Sequence, residues 1–187
     1  MPGPPFVRGE TVALHTEEED DREFLWRHRN DPTIRHGLTT GAPKSRYHLE
    51  QEFEQHTGDD SGVGLLICPR SGSDGGDGDD PEPVGKIVLF RIDETDGTGE
   101  LFCWVAPEAH GQGYATEATR LMVDHALGQR RLHKVVARAL VTNEASRTVL
   151  ERVGFEEEGI QRDQKYVNGD YLDVVRYSVL RHEWGGA

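Results

Sequence analysis

The chain has 187 residues, 35% of them apolar and 29% charged, and its 34 acidic side chains outweigh 21 basic ones to leave a formal net charge of −13. That surplus repels phosphate backbones and anionic lipid, so a nucleic-acid or membrane-surface partner is not expected. No apolar run approaches the roughly eighteen residues of a membrane-spanning helix, and the length fits one domain, placed at residues 6–184.

The opening Met1-Pro-Gly-Pro-Pro lacks the basic and apolar regions of a signal peptide, and Cys68 and Cys103 are too few for a disulfide framework. A cytoplasmic location is the expectation. The nine histidines are scattered, without paired ligand spacing near a carboxylate, so no metal is expected; His125 and His133 read as surface or packing residues. The acidic surface has two readings, an ordinary one and adaptation to high internal salt. A count of only four lysines (Lys44, Lys86, Lys134, Lys165) favours the second.

In chain order, Thr11–Leu14 is a short strand, followed by a helix from Asp20 to His28 that Asn30-Asp31-Pro32 stops. A second helix is expected from about Arg46 to Gln55, with Leu49 and Phe53 on one face. Val63–Cys68 reads as a buried strand, and the Gly- and Asp-rich stretch 71–83 as a flexible acidic loop. Val84–Ile92 and Glu100–Val105 form a hairpin around Asp96-Gly97. The period then changes to 3.6: Ala115, Ala118, Met122 and Ala126 mark one helix face, with Leu121 alongside. Val135–Val141 is an apolar strand. Ala145, Val149, Leu150 and Val153 define a further core-facing helix capped by Gly154, and Asn168-Gly169 turns a closing hairpin. The order implies a mixed α/β sheet covered by helices.

His110-Gly-Gln-Gly-Tyr-Ala115 stands between a strand and a helix, where unpaired backbone N–H groups and the helix dipole favour an anion and glycine admits it closely. A dinucleotide-binding loop would need a small residue where Thr116 stands. A Walker loop would need Ser or Thr after Gly85-Lys86, where Ile87 stands. The bland reading is a glycine-rich turn. The segment resembles the Arg/Gln-x-x-Gly-x-Gly/Ala pyrophosphate loop of the GNAT acetyltransferases, with His110 departing at the first position.

The resemblance extends from Phe6 to Trp184 and is closest to the RimJ/RimL-type, ribosomal-protein-alanine N-acetyltransferase-like branch. It rests on Arg29-Asn-Asp31, Trp104-Val-Ala-Pro107, Gly111–Ala118, Asn143-Glu-Ala-Ser146, Gly154-Phe155 and Tyr171-Leu-Asp173, in that order. It implies a mixed, mostly antiparallel sheet whose fourth and fifth strands splay apart for the pantetheine arm of acetyl-coenzyme A. It also implies acetyl-CoA contacts from Trp104, Val105, His110, Gly111, Gln112, Gly113, Tyr114, Ala115, Thr116 and Asn143. The implied activity is acetyl transfer to a primary amine by direct attack.

That chemistry needs a base for the amine and a donor for the departing thiolate. The resemblance suggests Glu100 for the first; its bland reading is a solvated residue opening a strand. Asn143 is a good N-cap on sequence grounds, which would leave Ser146 with an ordinary hydroxyl at the helix start. In the family reading Asn143 bonds the pantetheine arm and Ser146 reaches the sulfur, because Leu150 stands where many members carry a tyrosine acid. Cys103 could in principle be a nucleophile, but no base is identifiable beside it. Trp26, Arg29, Tyr166 and Tyr171 are candidates for an acceptor pocket between the early helices and the last hairpin. The acceptor is expected to be a protein N-terminal α-amine, with a small amine such as a polyamine, amino acid or antibiotic as the alternative. A non-catalytic coenzyme A-binding module stands behind both, and the chain is expected as monomer or homodimer.

Overall fold

In a computed structural model that describes residues 1–38, 42–49, 51, 62–70 and 82–185, Pro5–Arg8 (β1), Val12–Thr16 (β2), Val63–Pro69 (β3), Gly85–Asp93 (β4), Thr98–Val105 (β5), Lys134–Leu140 (β6), Glu156–Val167 (β7) and Asp170–Leu180 (β8) pair side by side. Their spatial order is β1-β2-β3-β4-β5-β6-β8-β7 in one eight-stranded sheet. Every pairing is antiparallel except β5 with β6. That exception follows from the connection, since a crossover helix (α3, Tyr114–Asp124) lies between those two strands.

The β5–β6 ladder starts at Thr98↔Lys134 and stops at Leu101↔Ala137, and beyond it Phe102–Val105 and Arg138–Leu140 diverge. The splay implied by the family resemblance is present. It falls between the fifth and sixth strands rather than the fourth and fifth, because Pro5–Arg8 adds an edge strand.

β2 and β3 read as continuous apolar runs because both their faces are covered. On one side α3 and α4 (Glu144–Val153) bury Val12, Leu14, Leu65, Ile67, Leu89 and Met122 in the main core. On the other, α1 (Arg22–Arg29) and α2 (Pro32–Leu38) enclose Leu25, Ile34, Leu49, Leu66, Cys68 and Trp104. α2 was not expected. Asn30-Asp31-Pro32 does stop α1, but Asp31 then accepts the N–H groups of Thr33 (2.8 Å) and Ile34 (3.3 Å) and Pro32 opens the next helix. Residues 46–49 are helical, whereas Phe53 and residues 71–81 of the expected acidic loop lie outside the described residues.

Ala118, Met122 and Ala126 are fully buried as their spacing requires, and α3 continues into a π-helical turn, His125–Gln129. Glu117, in the first turn of α3, accepts the N–H of Thr11 at 3.0 Å, the N–H of Glu10 and the Thr11 hydroxyl, so one carboxylate ties the β1–β2 turn to this helix. In α4, Leu150 and Val153 are core residues, Val149 is half-buried, and Ala145 faces outward, contrary to its helical spacing; it sits on the first turn, ahead of the packed part. Gly154 caps the helix at φ 109°, and the N–H groups of Gly154 and Phe155 both return to the Leu150 carbonyl. Asn168-Gly169 turns the β7–β8 hairpin with both φ angles positive (53° and 105°), and the Asn168 amide reaches His36 of α2 at 3.3 Å.

Candidate active site

β5 ends at Val105, a short 3-10 turn follows at Pro107–Ala109, and the chain crosses Gly111 (φ 79°) and Gly113 (φ 83°) to enter α3 at Tyr114. Both glycines hold a left-handed backbone that side chains resist, and a Cβ built on either would meet no protein atom within 4 Å. The loop is therefore concave and open, with the first turn of α3 presenting its N–H groups to it. His110 turns back, its Nε2 donating to the Val105 carbonyl at 2.9 Å, so its ring braces the loop rather than reaching outward.

From this loop a cleft of about 800 Å³ runs into the gap between β5 and β6. Trp104, Val105, His110, Gly111, Gly113, Tyr114, Ala115, Thr116 and Asn143 line it; Gln112 is exposed and does not. The Trp104 ring itself lies under α1, stacked on Phe24 (centroids 5.6 Å apart) and His28 (5.7 Å). Glu100 and Ser146 line the same cleft, one from β5 and one from the first turn of α4.

The Glu100 carboxylate accepts from Arg91 at 2.9 Å and lies 3.5 Å from Arg138. Ser146 donates its backbone N–H to Asn143 Oδ1 at 3.1 Å, so Asn143 is the N-cap, with its amide Nδ2 unused by that bond. Leu150 is buried apolar wall. Cys103 also faces the cleft, but burial pushes its thiol up to about 12 against a small opposing hydrogen bond from Thr119, so no thiolate forms near neutrality.

Thr33, Ile34 and Gly37 of α2, Phe90 and Arg91 of β4, and Gln164 and Lys165 of β7 also line the cleft. The site thus lies between the early helices and the last hairpin, but the four residues expected there do not form it. Trp26 packs beside the smaller core under the Arg46 guanidinium (4.8 Å). Arg29 is absent from the lining. Tyr166 and Tyr171 pair across the hairpin with rings 5.1 Å apart and remain 63% and 66% exposed. Among the described lining residues Glu100 is the sole carboxylate, against the four cations Arg91, Arg138, Arg152 and Lys165. Among the described residues, then, a chain with net charge −13 lines this cleft with an excess of basic side chains.

The glycine loop at a helix start, the parted parallel strands and the cleft joining them coincide with a family match: residues 12–156 match the family described as Acetyltransferase (GNAT) domain. The chain belongs to this GNAT family. Over 102 residues it is 43% identical to "Putative ribosomal N-acetyltransferase YdaF" of Bacillus subtilis, covering 54% of this chain and 56% of that protein. The chain therefore spans little more than half the length of that relative. Over 167 residues it is 25% identical to the spermidine N(1)-acetyltransferase of Escherichia coli, covering 83% and 84% of the two chains. The crystal structure of spermidine N-acetyltransferase from Vibrio cholerae in complex with CoA and spermine has the same fold, with a TM-score of 0.84 at 23% identity over 94% of this chain and 98% of that one. Within this GNAT chain the arginines and lysine of the cleft were not legible as site residues. They are scattered from residue 91 to residue 165, on β4, β6, α4 and β7, and only the packing of these elements brings them together.

Proposed function

We propose that this GNAT chain transfers the acetyl group of acetyl-coenzyme A to a primary amine, the α-amine of a protein N-terminus, by direct attack. The observation that carries the reading is the single cleft that joins the open glycine loop, Ser146 and Glu100. Bound acetyl-coenzyme A supplies a thioester-activated acetyl group. The N–H groups at the start of α3 hold its pyrophosphate, with Gly111 and Gly113 leaving room for it. Asn143 Nδ2 is placed to bond the pantetheine amides while Oδ1 caps α4. Glu100 takes the proton of the attacking amine, and the Ser146 hydroxyl donates to the sulfur as it departs. The raised pKa of Cys103 disfavours a covalent acyl-enzyme.

Two observations support a protein N-terminus over a polyamine. The ribosomal relative matches at 43% identity against 25% for the spermidine enzyme, and the basic cleft lining repels a polycation. The test is release of free thiol from acetyl-coenzyme A with peptides, polyamines and amino acids as acceptors, with products identified by mass spectrometry. Acetylated peptide N-termini support the reading. Release with spermidine alone would reassign the acceptor, and coenzyme binding without release would leave a binding module.

A further inference from the structure

A second pocket, of about 290 Å³, opens beside the cleft and shares Arg91, Glu100 and Arg138 with it, while Lys134 and Arg176 complete its charged wall. Register fixes Glu100, Lys134, Arg138 and Arg176 on one sheet face, and Arg91 joins them from the irregular end of β4, where its φ is 49° and the pairing shifts between Phe90 and Asp93. Glu100 alternates with Phe102 and Trp104, which pack beneath α1 and α2; Glu100 pairs with Val136, and Arg138 pairs with Arg176. Among the described residues the small core under α1 and α2 contains none from β6 or β8, and on this part of the face Lys134, Val136, Arg138 and Arg176 line the pocket instead.

The charges do not balance. Arg91 and Arg138 share Glu100, and Lys134 and Arg176 share Glu158, so four cations meet two carboxylates. Arg176 engages Glu158 through Nε at 2.6 Å, and Arg91 engages Glu100 through one Nη, which leaves guanidinium N–H groups for another acceptor. Arg138 and Arg176 also stand directly opposite each other on antiparallel strands, an arrangement of like charges that opposes folding unless an anion sits between them. All this occurs on a chain with a net charge of −13.

We propose that this pocket receives an anionic group of the acceptor, so that the preferred substrate is a peptide N-terminus with a carboxylate side chain in its first few residues. The inference rests on the protein N-terminus reading above. The α-amine meets Glu100 on the shared wall, and the carboxylate enters the pocket between Arg138 and Arg176, whose forked guanidiniums suit bidentate carboxylate. A polyamine has nothing to place there.

The experiment measures kcat/KM for three peptides that share their first residue and carry Asp, Asn or Lys at the next two. Free glutamate and spermidine are included, at low salt and in about 0.5 M KCl, where screening acts over a few ångströms. The Asp peptide should exceed the Asn peptide by about tenfold or more, as charged hydrogen bonds warrant, and salt should shrink that ratio. Arg176→Gln should lower the ratio mainly through KM for the Asp peptide. Peptides acetylated without regard to charge, or an Asp preference intact in Arg176→Gln, would overturn the pocket and leave the acetyltransferase reading standing. Glutamate surpassing every peptide would show that the acceptor is a free amino acid and overturn the peptide assignment. Inert peptides beside active spermidine would overturn both readings. If Arg176→Gln does not fold, the wild-type Asp-to-Asn ratio and its salt dependence decide by themselves.

Discussion

Asn143 Oδ1 accepts the backbone N–H of Ser146 at 3.1 Å, and this bond fixes the start of α4 against the cleft. Structural and functional readings of Asn143 need not compete, because the cap uses the carbonyl end of the amide and leaves the NH2 end for a ligand. Asn143→Ala should therefore cost about 1 kcal/mol, a loss of a few degrees in Tm, while Asn143→Asp keeps the cap and loses the donor. Melting curves should place Asp near wild type and Ala below it, and coenzyme A titrations should show both variants weakened. An Ala variant that melts like wild type would mean that the helix start is held by other contacts.

Gly113→Val puts a β-branched side chain at φ 83° and a methyl group into the open cradle. Affinity for coenzyme A should fall at least about tenfold, and with it the rise in melting temperature that the ligand confers. Gly113→Asn, which tolerates this backbone, separates strain from intrusion. It should recover stability without recovering affinity, as isothermal calorimetry would show. Undiminished binding in the Val variant would place the pyrophosphate elsewhere.

Glu100→Gln and Ser146→Ala should fail differently. Loss of a general base costs on the order of a hundred- to ten-thousand-fold in kcat, and that loss should shrink as pH rises and more amine is already unprotonated. The Ser146→Ala loss should be independent of pH, with acetyl-coenzyme A binding retained, since the hydroxyl acts on developing charge. Glu100 also anchors Arg91 and Arg138, so each variant needs a melting curve beside its pH profile. Wild-type kcat in folded Glu100→Gln would remove the base assignment.

Burial depresses the pKa of His125, whose ring lies edge-on to Phe6 at 5.1 Å and bonds Gln129 at 3.0 Å, with Arg130 adding repulsion. The folded protein thus resists protonating it, whereas the unfolded chain protonates near 6.5. Its contribution to stability is complete above about 6.5 and is lost as pH falls through the lower folded value. Urea midpoints should decline from pH 6.5 downward, and His125→Gln should flatten that slope. Glu158 does not confound the window. Burial pushes its carboxyl up, but hydrogen bonds from Lys134, Arg176 and Ser178 prevail and bring it to about 2, so its share is lost only below about 4.3. An equal slope in the variant would assign the acid sensitivity to other groups.

A net charge of −13 makes self-repulsion a property of the folded surface. Melting temperature should rise between low and molar KCl as carboxylates are screened from one another. A flat or falling curve would refute salt adaptation.

Local signals were the legible ones. Asn168-Gly169 and Gly154 announced their turn and cap because glycine chemistry decides them within a few residues. The glycine loop at the entrance to α3 was likewise readable from Gly111 and Gly113 and its place between strand and helix. α2 was missed because one tripeptide both ends a helix and begins another. Tyr166 and Tyr171 were chosen by residue type, but in the hairpin they pack on each other and face outward. The basic pocket draws on β4, β5, β6 and β8, so no window of sequence contains it.

The grip of Glu117 on Glu10 and Thr11 makes the edge of the sheet and the entrance to α3 a shared mechanical unit. Fraying of β1 and loosening of the helix entrance are then one opening event, so the amide protons of Glu10 and Thr11 should exchange on the same clock as those in the first turn of α3. Occupancy of the glycine loop, at the entrance to that same helix, would slow both.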